Sequence, residues 1–301
     1  MKEVAAGLAA AAEPASAGAT DNNPAMAETI VQPAPHPKAR RAKRSRSHNR
    51  SRTWLLPLLF GLLFVAAWQT ELFHKLFKLA PYQLPLPSAI AASLRDNADL
   101  LWSYSLYTGF EIVAGCFIGS FLGFILAAIA SFAPKIGKGG IAMTAALNAI
   151  PIVALAPVMN NWFGDGSASK IAIVSVMTMA TMAVGAYKGL RSIEPMYVEL
   201  MTSYAASRYT TFIKLRLHNG LPYMFTALKI NMATSIIGSI VGEFFISSRG
   251  LGFLLSDQIK LGNMPLAWSC ITIAAVLGIV LYYLVQLAER LAIPWHIAQR
   301  K

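Results

Sequence analysis

Three ionisable side chains stand inside otherwise apolar stretches of this sequence and are its first candidates for chemistry: Glu111, Lys229 and Glu243. A charge at the centre of a bilayer costs at least about 2.5 to 3.5 kcal/mol on insertion scales, so such groups mark a path, a gate or a buried pair. Glu243 follows Ser235, Gly238, Ser239 and Gly242, where it gates a path, meets a cargo or pairs with a neighbouring helix. Glu111 reads as structural or interfacial. Lys229, one or two turns into its stretch, reads as an anchor whose ammonium snorkels to the interface. Asn148, Asn160 and Asn161 either bond a cargo or join helix to helix. His218, beside Asn219-Gly220, reads as a cap or turn, with no nucleophile or carboxylate pair near it. No catalytic constellation emerges, which speaks against a membrane-embedded enzyme. Cys116 and Cys270 lie singly in apolar stretches without metal-ligand spacing and read as small buried hydrophobes.

The elements that must position these groups follow from composition. Of 301 residues, 55% are hydrophobic and 13% charged, against about 25% charged in a soluble domain. The first 52 residues hold 9 of the 26 Lys and Arg and 4 of the 14 Asp and Glu, so the apolar weight lies beyond them. A bilayer core takes about 20 helical residues to cross. Stretches of that kind recur at 53–70, 101–131, 139–163, 169–187, 221–246 and 265–288, which predicts an all-α polytopic membrane protein of six transmembrane helices. Ala- and Pro-rich residues 1–37 lack hydrophobic periodicity, and residues 1–52 are expected to form a disordered, basic tail. The first apolar run starts too late for a cleaved secretory signal, and Glu3, Glu13, Asp21 and Glu28 argue against an acid-poor transit peptide.

The net charge of +12 does not point to nucleic acid, because eight basic residues lie between Lys38 and Arg52, directly before the first span, and no recognition module accompanies them. Putting that tail in the cytoplasm leaves 19 Lys and Arg on the cytoplasmic side and six on the other, so the positive-inside bias favours both termini in the cytoplasm. Residues 53–297 form the membrane domain, with a cytoplasmic loop at 188–221 and a short tail at 298–301. Residues 88–102 alternate at roughly helical spacing and predict an N-capped amphipathic helix on the outer surface. Gly115, Gly119 and Gly123 form a small-residue stripe for close helix packing. Pro151 and Pro157 predict breaks in the third span.

The loop is too polar to span and too patterned to be a linker. Residues 194–204 and 207–217 each read as a short helix, joined through Ala205 and Ala206. Tyr204, Tyr209, Phe212 and Leu215 stand beside Arg208, Lys214 and Arg216, a mixture suited to a helix that docks in another protein's groove. The loop reads Glu199-Leu200-Met201, then Ala205-Ala206-Ser207-Arg208-Tyr209, then Leu217-His218 and Leu221-Pro222. Around it stand LPLPSAI at 84–90, AIPIVALAPVMNNWFG at 149–164, VGEFFISSRGLGFLL at 241–255 and IPWH at 293–296. Over roughly residues 80 to 297 the chain resembles the permease subunits of bacterial ATP-binding-cassette (ABC) importers, in the branch for sulfonates, taurine, nitrate and pyrimidine precursors.

The resemblance implies the type I importer arrangement with a coupling-helix loop, in the bacterial inner membrane. It implies a homodimer with one path at the twofold interface, a periplasmic binding protein that delivers a small solute, and an ATPase dimer that receives the loop. Coupling would fall on Glu199, Tyr204, Ala205, Ala206, Arg208 and Phe212, and the path on Asn148, Pro151, Ser235, Ser239 and Glu243. The chain itself would bind no cofactor and no metal, ATP and magnesium being held by the partner ATPase, consistent with the lack of a phosphate loop ending in Gly-Lys-Ser/Thr. Three departures stand out. Ala205 replaces a usual Gly, which would lose about 1 to 2 kcal/mol if the turn there needs positive φ. His218 replaces a usual Pro, and Glu111 stands where relatives commonly place an Arg. The alternative, a self-sufficient secondary transporter, would call for an internal repeat, and none is evident.

Overall fold

The computed structural model describes residues 52–80 and 82–294. The tail expected before Arg52, and the segments at 295–297 and 298–301, lie outside the described residues. Helix α1 runs Arg52–Gln69, α2 Leu72–Phe77, α3 Pro87–Asp96, α4 Ala98–Phe132, α5 Pro134–Ala146, α6 Ile152–Phe163, α7 Ser167–Arg191, α8 Pro195–Ser203, α9 Arg208–Thr211, α10 His218–Ile246, α11 Leu251–Lys260 and α12 Met264–Ala292. Among the described residues there is no strand.

Among the described residues four helices are long and apolar enough to cross a bilayer: α4, α7, the continuous rod Arg208–Ile246 and α12. The third expected span is broken. Its two halves, Gly137–Ala149 and Ile152–Phe163, meet at 99° at Pro151, which cannot donate and biases the residue before it away from helix, whereas Pro157, also expected to break the span, lies inside α6 without interrupting it. The first span is short: α1 has 18 residues, about 27 Å of rise, and its apolar part is only Leu55–Gln69. It is held near its end, where Gln69 Nε2 donates to Ser88 Oγ at 3.0 Å and Trp68 meets Trp268 edge-on at 5.6 Å.

Two local expectations are corrected. The amphipathic helix begins with Pro87 at its first turn, with no side-chain cap, and stops at Asp96, so Trp102 belongs to α4. The second loop helix is not separate: α9 passes through a π turn, Phe212–Leu217, straight into α10. His218 therefore sits within continuous helix rather than at a turn, and Asn219 Nδ2 reaches across to the Gly189 carbonyl at 3.1 Å near the end of α7.

The core is α7 clamped between α4 and α10. Gly115, Gly119 and Gly123 present backbone to α7: a Cβ on Gly115 would lie 2.6 Å from Val174 Cβ, and one on Gly119 would lie 2.7 Å from Ser175 Cα. This contact lets Ser175 Oγ donate to the Gly115 carbonyl at 3.2 Å. Asn231 of α10 ties all three helices, donating to Ser120 Oγ at 2.9 Å and to the Thr178 carbonyl at 3.0 Å. Gly119→Val should therefore lower stability by about 1 to 3 kcal/mol through overpacking, measured by detergent-titrated unfolding, whereas Gly61→Ala, where a Cβ meets nothing within 4 Å, should leave it unchanged.

Candidate functional site

The loop between α7 and α10 shows two unlike faces. Helix α8 opens at Pro195 after Glu194, and its exposed side carries Met196, Tyr197, Leu200 and Glu199. Tyr204 is 76% exposed and Tyr209 72% exposed, in spite of their size. Arg208, the first residue of α9, is also exposed. Phe212 is the reverse: 7% exposed, it packs with Ala127, Met182, Ala186, Leu190 and Ala227. The sequence reading made it a docking anchor; the structure makes it the pin that holds the loop to the bundle. Met196 and Tyr197 were overlooked, though their place in the first turn of a polar loop helix is unusual for large apolar groups.

Ala205 explains its own departure. Its φ is +52°, its N–H donates to the Thr202 carbonyl at 2.9 Å, and Ala206 N–H donates to Met201 at 3.0 Å. That pair of bonds is a Schellman ending of α8, with Ala205 in the left-handed position that Gly fills without a Cβ penalty. Ser207 then caps α9, its Oγ accepting from Thr210 N at 3.1 Å.

At the opposite end of α7 and α10 lies a buried polar junction. Glu243 and Lys170 have no exposed surface. Glu243 Oε2 accepts from Gly252 N at 2.7 Å and its Oε1 from Thr108 Oγ1 at 2.6 Å, while Thr108 Oγ1 accepts from Leu251 N at 2.9 Å. A carboxylate and a hydroxyl thus satisfy the first free amides of α11, where the helix dipole favours negative charge. The corner has room for them because Gly250, at φ +107°, has no side chain: a Cβ there would strike the Glu243 carboxylate, and one on Gly252 would lie 2.8 Å from Glu243 Cβ. Lys170 Nζ donates to the carbonyls of Asp165 at 2.7 Å, Gly166 at 3.2 Å and Ile246 at 3.1 Å, closing the C-terminal end of α10. Glu111, also fully buried, accepts from Ser239 Oγ at 3.1 Å.

Sequence reasoning assigned Ser235, Ser239 and Glu243 to a path. All three are inside the protomer with no exposed surface, and Ser235 Oγ donates to its own helix at Asn231 O, 2.6 Å. Asn148 and Pro151 are exposed at the bend between α5 and α6. Lys229 does not simply snorkel: its Nζ lies 2.9 Å from Glu289 Oε2 of α12. Lys170, one of the six Lys and Arg that the charge count put on the far side of the membrane, is a core residue, and its place one turn into an apolar helix was the available signal. Among the described residues no group of three His, Cys, Asp or Glu could hold a metal ion.

The described residues thus form a helical bundle with long apolar helices, one bent helix pair and a loop that leaves large aromatics exposed. Residues 119–293 match the family of binding-protein-dependent transport system inner membrane components. The chain is 30% identical over 229 residues to a probable ABC transporter permease of Haemophilus influenzae, covering 76% of this chain and 93% of that one. It is 28% identical over 247 residues to the formylaminopyrimidine transport permease of Halalkalibacterium halodurans, covering 82% and 98%. Among solved structures it resembles a chain of the methionine ABC transporter MetNI in an inward-facing conformation, with a TM-score of 0.52 and 19% identity over 65% of this chain and 97% of that one, a likeness of fold. The chain belongs to the binding-protein-dependent inner-membrane permease family. It is a multi-pass ABC importer permease subunit.

Two outcomes follow from the geometry. Ala205→Gly should stabilise the loop by about 1 kcal/mol by removing left-handed strain, seen as slower amide exchange across α8. Glu243→Ala strips the partners from Thr108 and Gly252 and should cost about 2 to 4 kcal/mol, seen as earlier unfolding in detergent titration.

Proposed function

We propose that this chain works as a homodimer whose cytoplasmic loops engage an ATPase dimer, importing a small solute delivered by a periplasmic binding protein. The observation that carries the reading is the exposed aromatic face of the loop, Tyr204 and Tyr209 beside Leu200 and Arg208, backed by a buried Phe212. Large aromatics left in water on a firmly anchored helix are what an interface hot spot uses. Glu199 and Arg208 flank this face, with Ala205 and Ala206 forming the turn that joins its two helices.

The path in this proposal runs between two copies along the bent pair α5 and α6. Asn148 and Pro151 stand exposed there, and Met143, Val153, Trp162 and Phe163 leave a large apolar surface for a second copy or lipid. An isologous contact would present the same patch from each copy. In this proposal there are six spans, counting α1 and the bent pair as one each, which puts both termini on one side, and the distribution of Lys and Arg makes that side the cytoplasm. The cargo belongs to the sulfonate, taurine, nitrate and pyrimidine-like class suggested by the sequence; the permease of H. halodurans, named for formylaminopyrimidine, makes a pyrimidine the first solute to try.

Uptake by proteoliposomes holding the permease, its ATPase and its binding protein tests this. It should require ATP and fail with an ion gradient alone; gradient-driven uptake without ATPase overturns the reading. Truncating Tyr204 and Tyr209 to Ala should each weaken ATPase binding by about 2 kcal/mol, some 30-fold. Tyr82→Ala, an exposed aromatic before α3, should leave that binding intact.

A further inference from the structure

The loop is continuous in the chain with α7 and α10, yet it also grips α4, from which it is far removed in sequence. Arg216 Nη1 donates to Ser131 Oγ at 3.0 Å and to the Ser131 carbonyl at 3.3 Å, across 85 residues. Ser131 lies in the last turn of α4, where unpaired carbonyls gather partial negative charge and a cation is favourable. On the next residue, the Phe132 ring lies 4.8 Å from that of Phe212. Phe212 and Arg216, four residues apart and so near one face, both belong to the π turn Phe212–Leu217. One turn thus holds consecutive α4 residues by a charge-assisted bond and by an aromatic contact. π turns inside helices are frequent at functional positions.

Toward its N-terminal half α4 carries Thr108 and Glu111, which hold Leu251, Glu243 and Ser239 at the buried junction. From Thr108 to Ser131 one unbroken helix spans 23 steps, about 35 Å. The same rod therefore links the loop to the α10–α11 corner on the far side.

We propose that Arg216 and Phe212 form a clasp that makes the end of α4 move as one body with the loop, so that displacement of the loop reaches the Thr108–Glu243 junction. Arg216 is in this reading a positioning residue that acts through Ser131. The clasp rests on the reading of the loop as the ATPase contact, and the test keeps the two apart.

Spin labels on Cys substitutions at exposed Ser203 and Ala133 report the separation of loop and α4 in the assembled complex in lipid nanodiscs; the native Cys116 and Cys270 are buried. In the native chain that separation should stay the same when a non-hydrolysable ATP analogue is added. In Arg216→Ala it should shift or broaden, and transport per ATP hydrolysed should fall about tenfold, within the usual range of coupling between sites, while the ATPase co-purifies at native stoichiometry. Arg216→Lys, which still reaches a carbonyl, should recover part of the loss. Where the Arg216→Ala permease itself fails to fold, Arg216→Gln keeps the stem and reads the same two quantities. A separation that changes in the native chain, or an Arg216 variant with native transport per ATP, overturns the clasp. Loss of ATPase from the Arg216 variants overturns it too, since Arg216 would then be a docking residue. Tyr204→Ala and Tyr209→Ala complexes that keep the ATPase fully bound would instead remove the docking reading and leave the spin-label result to be judged alone.

Discussion

A helix that ends in or near lipid has no water to take up its free carbonyls and amides, so its ends must be closed by the protein itself. The junction at the far end of α7 and α10 is built around that constraint. Lys170 gives three N–H bonds to carbonyls at the end of α10 and the start of α7, and Glu243 with Thr108 receives the first amides of α11. A chain that turns sharply between α10 and α11 leaves polar backbone at the corner, and the buried side chains of Lys170 and Glu243 supply its hydrogen-bond partners. The segment VGEFFISSRGLGFLL acquires a physical meaning here: the carboxylate needs Gly250 and Gly252 to be without side chains in order to fit.

With the ends closed, the three central helices can approach closely along their lengths. The α4 glycines bring its backbone onto α7, and the gain is packing and short hydrogen bonds such as Ser175 to Gly115 rather than hydrophobic burial, since lipid is as apolar as the helix surface. Much of what remains on the outside is apolar, including Phe117, Met143, Trp162 and Phe245. α4 serves two purposes in this arrangement, as one wall of the core and as the rod to which both the loop and the corner are attached.

The loop differs from the rest in how it is stabilised. Its inner side is pinned by Phe212 and Arg216, its helix α8 is closed by a Schellman turn at a strained Ala205, and its outer side leaves large aromatics in water. A strained turn and an uncovered apolar face both cost free energy in the isolated protomer. Each is understandable where a partner surface covers the face and holds the turn in place.

The sequence by itself determined the helical membrane class, the break at Pro151, the close-packing role of Gly115, Gly119 and Gly123, and the family. The first three depend on composition, on proline geometry and on short-range periodicity, all local properties, and the family rests on the resemblance of motifs such as those at 149–164 and 241–255. At Ala205 only the departure from a usual Gly was legible; its positive φ comes from the Schellman ending of α8, since a chain can also turn with negative φ. What only the tertiary structure decided is which way each polar or aromatic side chain faces. Phe212 and Tyr204 are alike in type and eight residues apart, yet one is pinned in the core and the other stands in solvent; Ser235, Ser239 and Glu243 face neighbouring helices instead of an open wall. Lys170 became a helix cap because α10 ends beside it, 76 residues further along the chain. A helix presents every face to something, and the identity of that neighbour is fixed by contacts between residues far apart in sequence, which no local pattern encodes.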